Sequence, residues 1–228
     1  MPSPFRMPVL ALGLFVVASC SEPPARQVDD VRLIVLISVD QFPAYVFDRY
    51  ESVYSGGLRR LLDEGQVYTD AVFDYAETWT SAGHPTMSTG VNPWRHGIVG
   101  NSWYEQVDGE WESVSSVADD GVEVLGVPGK TGRSPKNLMA SGLADWVVAA
   151  DPEARAVAVS GKYTSSVLLG GQNDKSHVYY YEDDVGRFVT SSYYRDAYPD
   201  FVTRFNDELL PALYAADSVW ECTVPQDL

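Results

Sequence analysis

Leu33–Val39 is an almost unbroken run of Leu, Ile and Val that stops at Asp40. A stretch this short and apolar has the pattern of a strand buried on both faces, as in the middle of a parallel sheet. Parallel strands need crossovers, and helical and extended patterns alternate downstream. The predicted class is therefore α/β, with a largely parallel central sheet flanked by helices. Open sheets of this kind gather functional groups outside the carboxyl ends of their strands, which is where Asp40 falls.

Further patterns fill in the expected order. Gly57–Glu64 reads as a helix closed by Gly65, and Val67–Phe73 as a second strand. Ser81–Thr89 reads as a helix with Pro85 in or near its first turn and Gly90 at its end. Trp103–Val117 alternates loosely, as a small antiparallel hairpin excursion would. Lys136–Ala150 has Leu138, Leu143, Trp146 and Val147 on one helical face. Arg155–Ser160 is a strand pattern, Val178–Tyr181 and Phe188–Ser192 a hairpin, and Phe201–Ala216 a helix broken at Pro211. Gly129-Lys130-Thr131 invites a P-loop reading, but the glycine required five positions earlier is Val124, so the spacing excludes it.

Of 228 residues, 45% are hydrophobic and 12% aromatic, enough for a packed core and too many for a disordered chain. The formal charge of -16 excludes a basic nucleic-acid binding surface. Any phosphate site must then be built locally. Residues 1–20 read as a lipoprotein signal peptide, with Arg6 before the apolar Pro8–Ala18 and Val17-Ala18-Ser19-Cys20 resembling a lipobox. Cys20 is the expected lipidation site, the alternative being an ordinary signal peptide with a chance cysteine. Ser21 follows it, which favours the outer membrane. The expectation is an exported lipoprotein on the periplasmic side, held to the membrane by an N-terminal lipid anchor. Residues 21–30, with Pro23-Pro24, would be a tether, and 31–228 part of a catalytic domain. Cys222 is the only other cysteine and has no partner in the chain once Cys20 is lipidated.

Thr80, at the start of a helix, is the candidate nucleophile. A threonine hydroxyl is weak at neutral pH and needs a base or a metal to activate it. Its bland alternative is an N-cap. Asp40 is the candidate metal ligand, since a carboxylate after a buried strand can hold Zn²⁺ beside a hydroxyl; its alternative is an exposed loop or capping aspartate. His84, four residues after Thr80 and on the same helical face, is a further candidate general base. Tyr179-Tyr180-Tyr181 and Tyr193-Tyr194 are either a pocket lining or hairpin packing.

Four blocks carry a family resemblance: Leu36-Ile37-Ser38-Val39-Asp40-Gln41, Gly57-Leu58-Arg59-Arg60-Leu61, Thr78-Trp79-Thr80-Ser81-Ala82-Gly83-His84 and His96-Gly97-Ile98-Val99-Gly100-Asn101. In order and spacing they resemble the alkaline phosphatase superfamily, in its threonine-nucleophile branch related to nucleotide pyrophosphatase/phosphodiesterases. The resemblance implies a metal-dependent hydrolase of phosphate esters, monoesters favoured, acting through a phospho-threonine. It implies Thr80 as nucleophile and metal ligand, Asp40 as metal ligand, and Asn101 and Lys162 as contacts to the phosphate. Two Zn²⁺ ions are implied for a complete site.

Two departures qualify it. Monoesterases of the branch commonly have an arginine where this chain has Thr164, which opens phosphodiesterase or pyrophosphatase activity as the alternative. The Asp and His ligands that complete a two-zinc cage are also missing: His84 and His96 lie inside the early blocks, and His177 stands alone. The expectation is the N-terminal part of a longer catalytic domain, or, as an alternative of another class, an inactive piece that at most binds phosphate.

Overall fold

The structure, a computed structural model, describes residues 31–215. Cys20 and Cys222 fall outside them. The chain divides into two units between Ile37 and Ser38, and the first is described only over 31–37, where it has no regular secondary structure and its residues are exposed.

The second unit runs through α1 (Ala44–Arg49), α2 (Gly56–Glu64), α3 (Thr80–Thr89), α4 (Pro93–His96), the hairpin β1 (Ser102–Val107) and β2 (Glu110–Ser115), and the pair β3 (Ala118–Glu123) and β4 (Thr131–Arg133). Then come α5 (Leu143–Ala150), β5 (Val157–Ser160), α6 (Tyr163–Leu169), β6 (His177–Glu182), β7 (Arg187–Val189), α7 (Asp200–Arg204) and α8 (Leu210–Ala215). The class is α/β. The parallel ladder among the described residues is β5 with β6, crossed over through α6, and β7 adds antiparallel to β6.

Two expected strands are absent. Residues 31–39 and 67–73 belong to no ladder, and Leu33, Ile37, Val67 and Val72 lie exposed. An apolar run becomes a strand only when a neighbour pairs its N–H and C=O groups, and no partner strand among the described residues does so. The helix expected from Lys136 starts seven residues later. Residues 136–142 are held instead in a turn: Leu138 N–H donates to Pro135 O at 2.8 Å and Met139 N–H to His96 O at 2.9 Å. The break expected at Pro211 falls just before it, as a π-helical turn over Phe205–Leu209, because proline removes a ladder donor and clashes with the carbonyl four residues back. The antiparallel excursion is the β1–β2 hairpin, turned at Asp108-Gly109 with φ of 52° and 91°. That Asp-Gly pair is a strong hairpin signal.

The core joins Ile98, Val117, Leu138, Val167, Leu168 and Val178 with Tyr194. Tyr180 packs with Val124 and Val189 in a second cluster. The tyrosines are therefore largely packing: Tyr179, Tyr180 and Tyr194 are buried, and Tyr181 meets Phe188 edge-on. Asp145 ties the start of α5 to the α6–β6 loop, accepting the N–H groups of Gly142, Gln172 and Asn173 at 2.8–2.9 Å. Gly171, at φ 75°, passes so close that a Cβ there would lie 2.6 Å from the Asp145 carboxylate.

His96 is fully buried. Its Nδ1 accepts the Ile98 N–H at 3.2 Å, so Nε2 carries the proton that faces Thr86 Oγ1 at 3.0 Å. Burial holds His96 below the usual histidine value of 6.5. Below that value the unfolded chain takes up a proton that the folded protein resists, so stability present at neutral pH is lost as pH falls. Urea titrations at about pH 7.5 and about pH 5.5 are expected to show a lower unfolding free energy at the lower pH, and His96→Gln a smaller difference. An equal drop in both proteins would move the acid sensitivity to another group, such as His177, which burial followed by Arg195 and Arg155 also holds low.

Candidate active site

α3 starts at Thr80 and ends at Gly90, whose φ of 67° closes it in the left-handed conformation. Pro85 lies in its second turn and denies Ser81's carbonyl a ladder donor. What holds α3 is packing by small residues: Ser81, Ala82, Gly83 and Ser88 are all buried. Their size lets α6 lie directly against it. At one end Ser88 Oγ donates to Leu168 O at 3.2 Å; at the other, Lys162 Nζ, just before α6, reaches Thr80 Oγ1 at 3.5 Å. Start meets start and end meets end, so the two helices run side by side in one direction.

Thr80 Oγ1 donates to Asp40 Oδ2 at 2.8 Å. The other oxygen of Asp40 accepts the N–H of Gln41 at 3.0 Å, and Gln41 holds φ at 56°. A glutamine in that region is strained, and the strain sits beside the carboxylate that meets the hydroxyl. Thr80 itself is buried while Asp40 and Lys162 are exposed, so the hydroxyl lies at the floor of an open site.

Asn101 reaches the same helix end. Its side-chain Oδ1 accepts the N–H of Ser81 at 3.0 Å. An N–H must meet the oxygen, so this bond fixes the amide and leaves Nδ2 as a donor with no partner among the described residues. Ser81 is further braced by Ser116, oxygen to oxygen at 2.9 Å. Asp40, Thr80, Asn101 and Lys162, more than 120 residues apart at their extremes, thus meet at the start of α3, Asp40 and Lys162 on the Thr80 hydroxyl and Asn101 on the next N–H.

His84 sits nearby in a different part from the one considered for it. Its Nδ1 lies 2.7 Å from the backbone oxygen of Thr80, and Nε2 lies 3.2 Å from Ser38 Oγ. It faces the carbonyl rather than the hydroxyl, which corrects the general-base reading. Ser38 was missed by sequence reasoning, although it stands two residues before Asp40. Thr164 is buried, and its hydroxyl has no partner among the described residues. A separate apolar groove of about 470 Å³, lined by Val159, Tyr179, Phe188, Phe201 and Phe205, shares no residue with this cluster.

The residues fit a metal only in part. A zinc ion takes three or four protein ligands. Asp40 and the Thr80 hydroxyl are two donors in the right chemistry, but among the described residues no group of three or more His, Cys, Asp or Glu side chains could hold an ion.

The profile of the family described as Type I phosphodiesterase / nucleotide pyrophosphatase matches residues 34–220. The chain belongs to that family. It is 32% identical over 219 residues to the alkaline phosphatase PafA of Elizabethkingia meningoseptica, covering 94% of this chain and 39% of PafA. It is 38% identical over 141 residues to the alkaline phosphatase PhoK of a Sphingomonas species, covering 61% of this chain and 25% of PhoK. A crystal structure of a PafA variant, substituted at a threonine, an asparagine, a lysine and an arginine, superposes with a TM-score of 0.75 at 32% identity, covering 82% of this chain and 36% of that one. The resemblance to the threonine-nucleophile branch of the alkaline phosphatase superfamily stands with these relatives. The chain spans about two fifths of PafA's length.

The bond between Asp40 and Thr80 is measurable as a coupling. Asp40→Ala and Thr80→Val are expected to be non-additive in unfolding free energy by about 1 kcal/mol, the size of one hydrogen bond to a charged group at a partly open site. Strict additivity in a double-mutant cycle would mean that the two side chains do not meet.

Proposed function

We propose that this chain carries the nucleophile and the phosphate-contacting groups of a phosphoric ester hydrolase. The observation that carries the reading is Thr80 Oγ1, placed between Asp40 Oδ2 at 2.8 Å and Lys162 Nζ at 3.5 Å. Asp40 holds the hydroxyl proton on its own side and Lys162 faces one lone pair, which leaves the oxygen's other lone pair to face a phosphorus. Lys162 brings a cation to an otherwise acidic protein and favours the oxygen as it gains negative charge. The unpartnered Nδ2 of Asn101 is a neutral donor for a non-bridging phosphate oxygen.

The step written from these residues is an in-line displacement. Thr80 Oγ forms a bond to phosphorus, the ester P–O bond breaks, and the leaving alkoxide departs. The hydroxyl proton passes toward Asp40. Water then hydrolyses the phospho-threonine, restoring Thr80 and releasing phosphate. The variant of PafA supports the assignment, because its substituted threonine precedes its asparagine by as many residues as Thr80 precedes Asn101. Zn²⁺ belongs to the proposal as the family's metal. Asp40 and Thr80 are what this chain offers it, and since the further ligands are not among the described residues, no step here runs through the ion.

Phosphate monoesters are the proposed substrates, with diesters as a second reading favoured by one observation. The substituted lysine and arginine of the PafA variant stand two apart, as do Lys162 and Thr164 here, so the second cation is replaced by a buried, uncharged hydroxyl. A doubly charged monoester gains more from two cations than a singly charged diester does. The leader and Val17-Ala18-Ser19-Cys20 support export as a lipid-anchored protein on the periplasmic side, in a chain whose described helices include none long and apolar enough to cross a membrane.

Thr80→Ala is expected to lower turnover of p-nitrophenyl phosphate by about a thousandfold or more, with Asn101→Ala and Lys162→Ala lowering it less. Full turnover in Thr80→Ala would overturn the nucleophile. Comparing the monoester with bis-p-nitrophenyl phosphate decides the class: a higher kcat/KM on the diester would favour the second reading. Phosphate binding without turnover on either would mark a binding protein.

A further inference from the structure

His84 is only 4% exposed, and both of its ring nitrogens are engaged. The Thr80 carbonyl can only accept, so Nδ1 must carry the proton at 2.7 Å. In the neutral ring Nε2 is then bare and accepts the Ser38 hydroxyl at 3.2 Å. Ser38 is two residues before Asp40, and Asp40 accepts the Thr80 hydroxyl. The contacts therefore close a ring. The 38–40 segment grips α3 twice, once through the hydroxyl of Thr80 and once, by way of the imidazole, through its backbone carbonyl.

Resting on the hydrolase reading above, we propose that His84 is a positioning residue: its imidazole clamps Ser38 to the backbone of Thr80 and thereby sets the distance between Asp40 and the nucleophile. The reason it matters is geometric. A single hydrogen bond leaves the carboxylate free to pivot about the hydroxyl, whereas a second tether two residues away removes that freedom. A misplacement of about 1 Å at a reacting centre is enough to lower a rate by about a hundredfold. The bland alternative is a buried histidine that satisfies its own nitrogens and adds only stability. The two differ in what the ring must reach and in which kinetic constant it moves.

Two measurements on the full-length protein test it. The first is a long-range proton–nitrogen correlation spectrum of histidine-labelled protein without substrate. His84 is expected as the Nδ1–H tautomer, with His96 as the opposite, Nε2–H form in the same sample. An Nε2–H tautomer at His84 overturns the clamp, whatever the activity. The second is steady-state kinetics on p-nitrophenyl phosphate with His84→Asn, which keeps a donor near the Nδ1 position, with Ser38→Ala, and with the double variant. Each single variant is expected to lower kcat about tenfold with KM unchanged, and the double variant to fall no further than either. Unchanged kcat in both single variants, with Thr80→Ala inactive, overturns the proposal while leaving the hydrolase reading in place. A kcat loss that tracks a loss of folded signal by circular dichroism also overturns it. If Thr80→Ala turns over like the wild type, the hydrolase reading fails and the tautomer alone decides the clamp.

Discussion

The nucleophile candidate depends on a hydrogen bond between side chains forty residues apart, from Thr80 Oγ1 to Asp40 Oδ2. A threonine at the start of a helix ordinarily turns its oxygen back to cap free backbone N–H groups. Here Trp79 stands before the helix, no side-chain cap is made, and the hydroxyl is spent on the carboxylate instead. The N–H of Ser81 is satisfied from outside by Asn101. The helix end is thus stabilised by a residue that also offers its own amide to the site, so capping and recognition are done by one side chain.

The local charge follows from the same economy. With a formal charge of -16, long-range fields repel phosphate rather than attract it. An anion must be held at close quarters, and the packing of α3 along α6 brings one cation, Lys162, to the hydroxyl. Small residues make this possible. A bulky side chain at Ser88, which meets α6 at Leu168, would push the helices apart and carry Lys162 away from Thr80.

Much of this was legible in the sequence because it rests on short-range signals. Gly90 ends α3 as expected, Gly186 turns the β6–β7 hairpin, and the blocks around Asp40, Thr80, Asn101 and Lys162 meet in space. What was not legible depends on partners. Leu33–Val39 has a buried strand's composition, yet composition cannot supply a neighbouring ladder, and the run lies exposed. Lys136–Ala150 has a helical stripe, but Leu138 closes a local turn on Pro135 and Met139 takes a tertiary hydrogen bond to His96, and the helix starts only at Leu143. His84 lies on the same helical face as Thr80, as its spacing implied. Its hydrogen-bond partners, Ser38 and a carbonyl, appear only once the chain is folded.

The most direct test of the account is chemical. The protein, incubated with phosphorus-labelled p-nitrophenyl phosphate and quenched in acid within the first turnover, is digested and the labelled peptide sequenced by mass spectrometry. A threonine nucleophile requires one phosphate on Thr80, absent in Thr80→Ala. Label on any other residue, or turnover without a labelled protein, would contradict it.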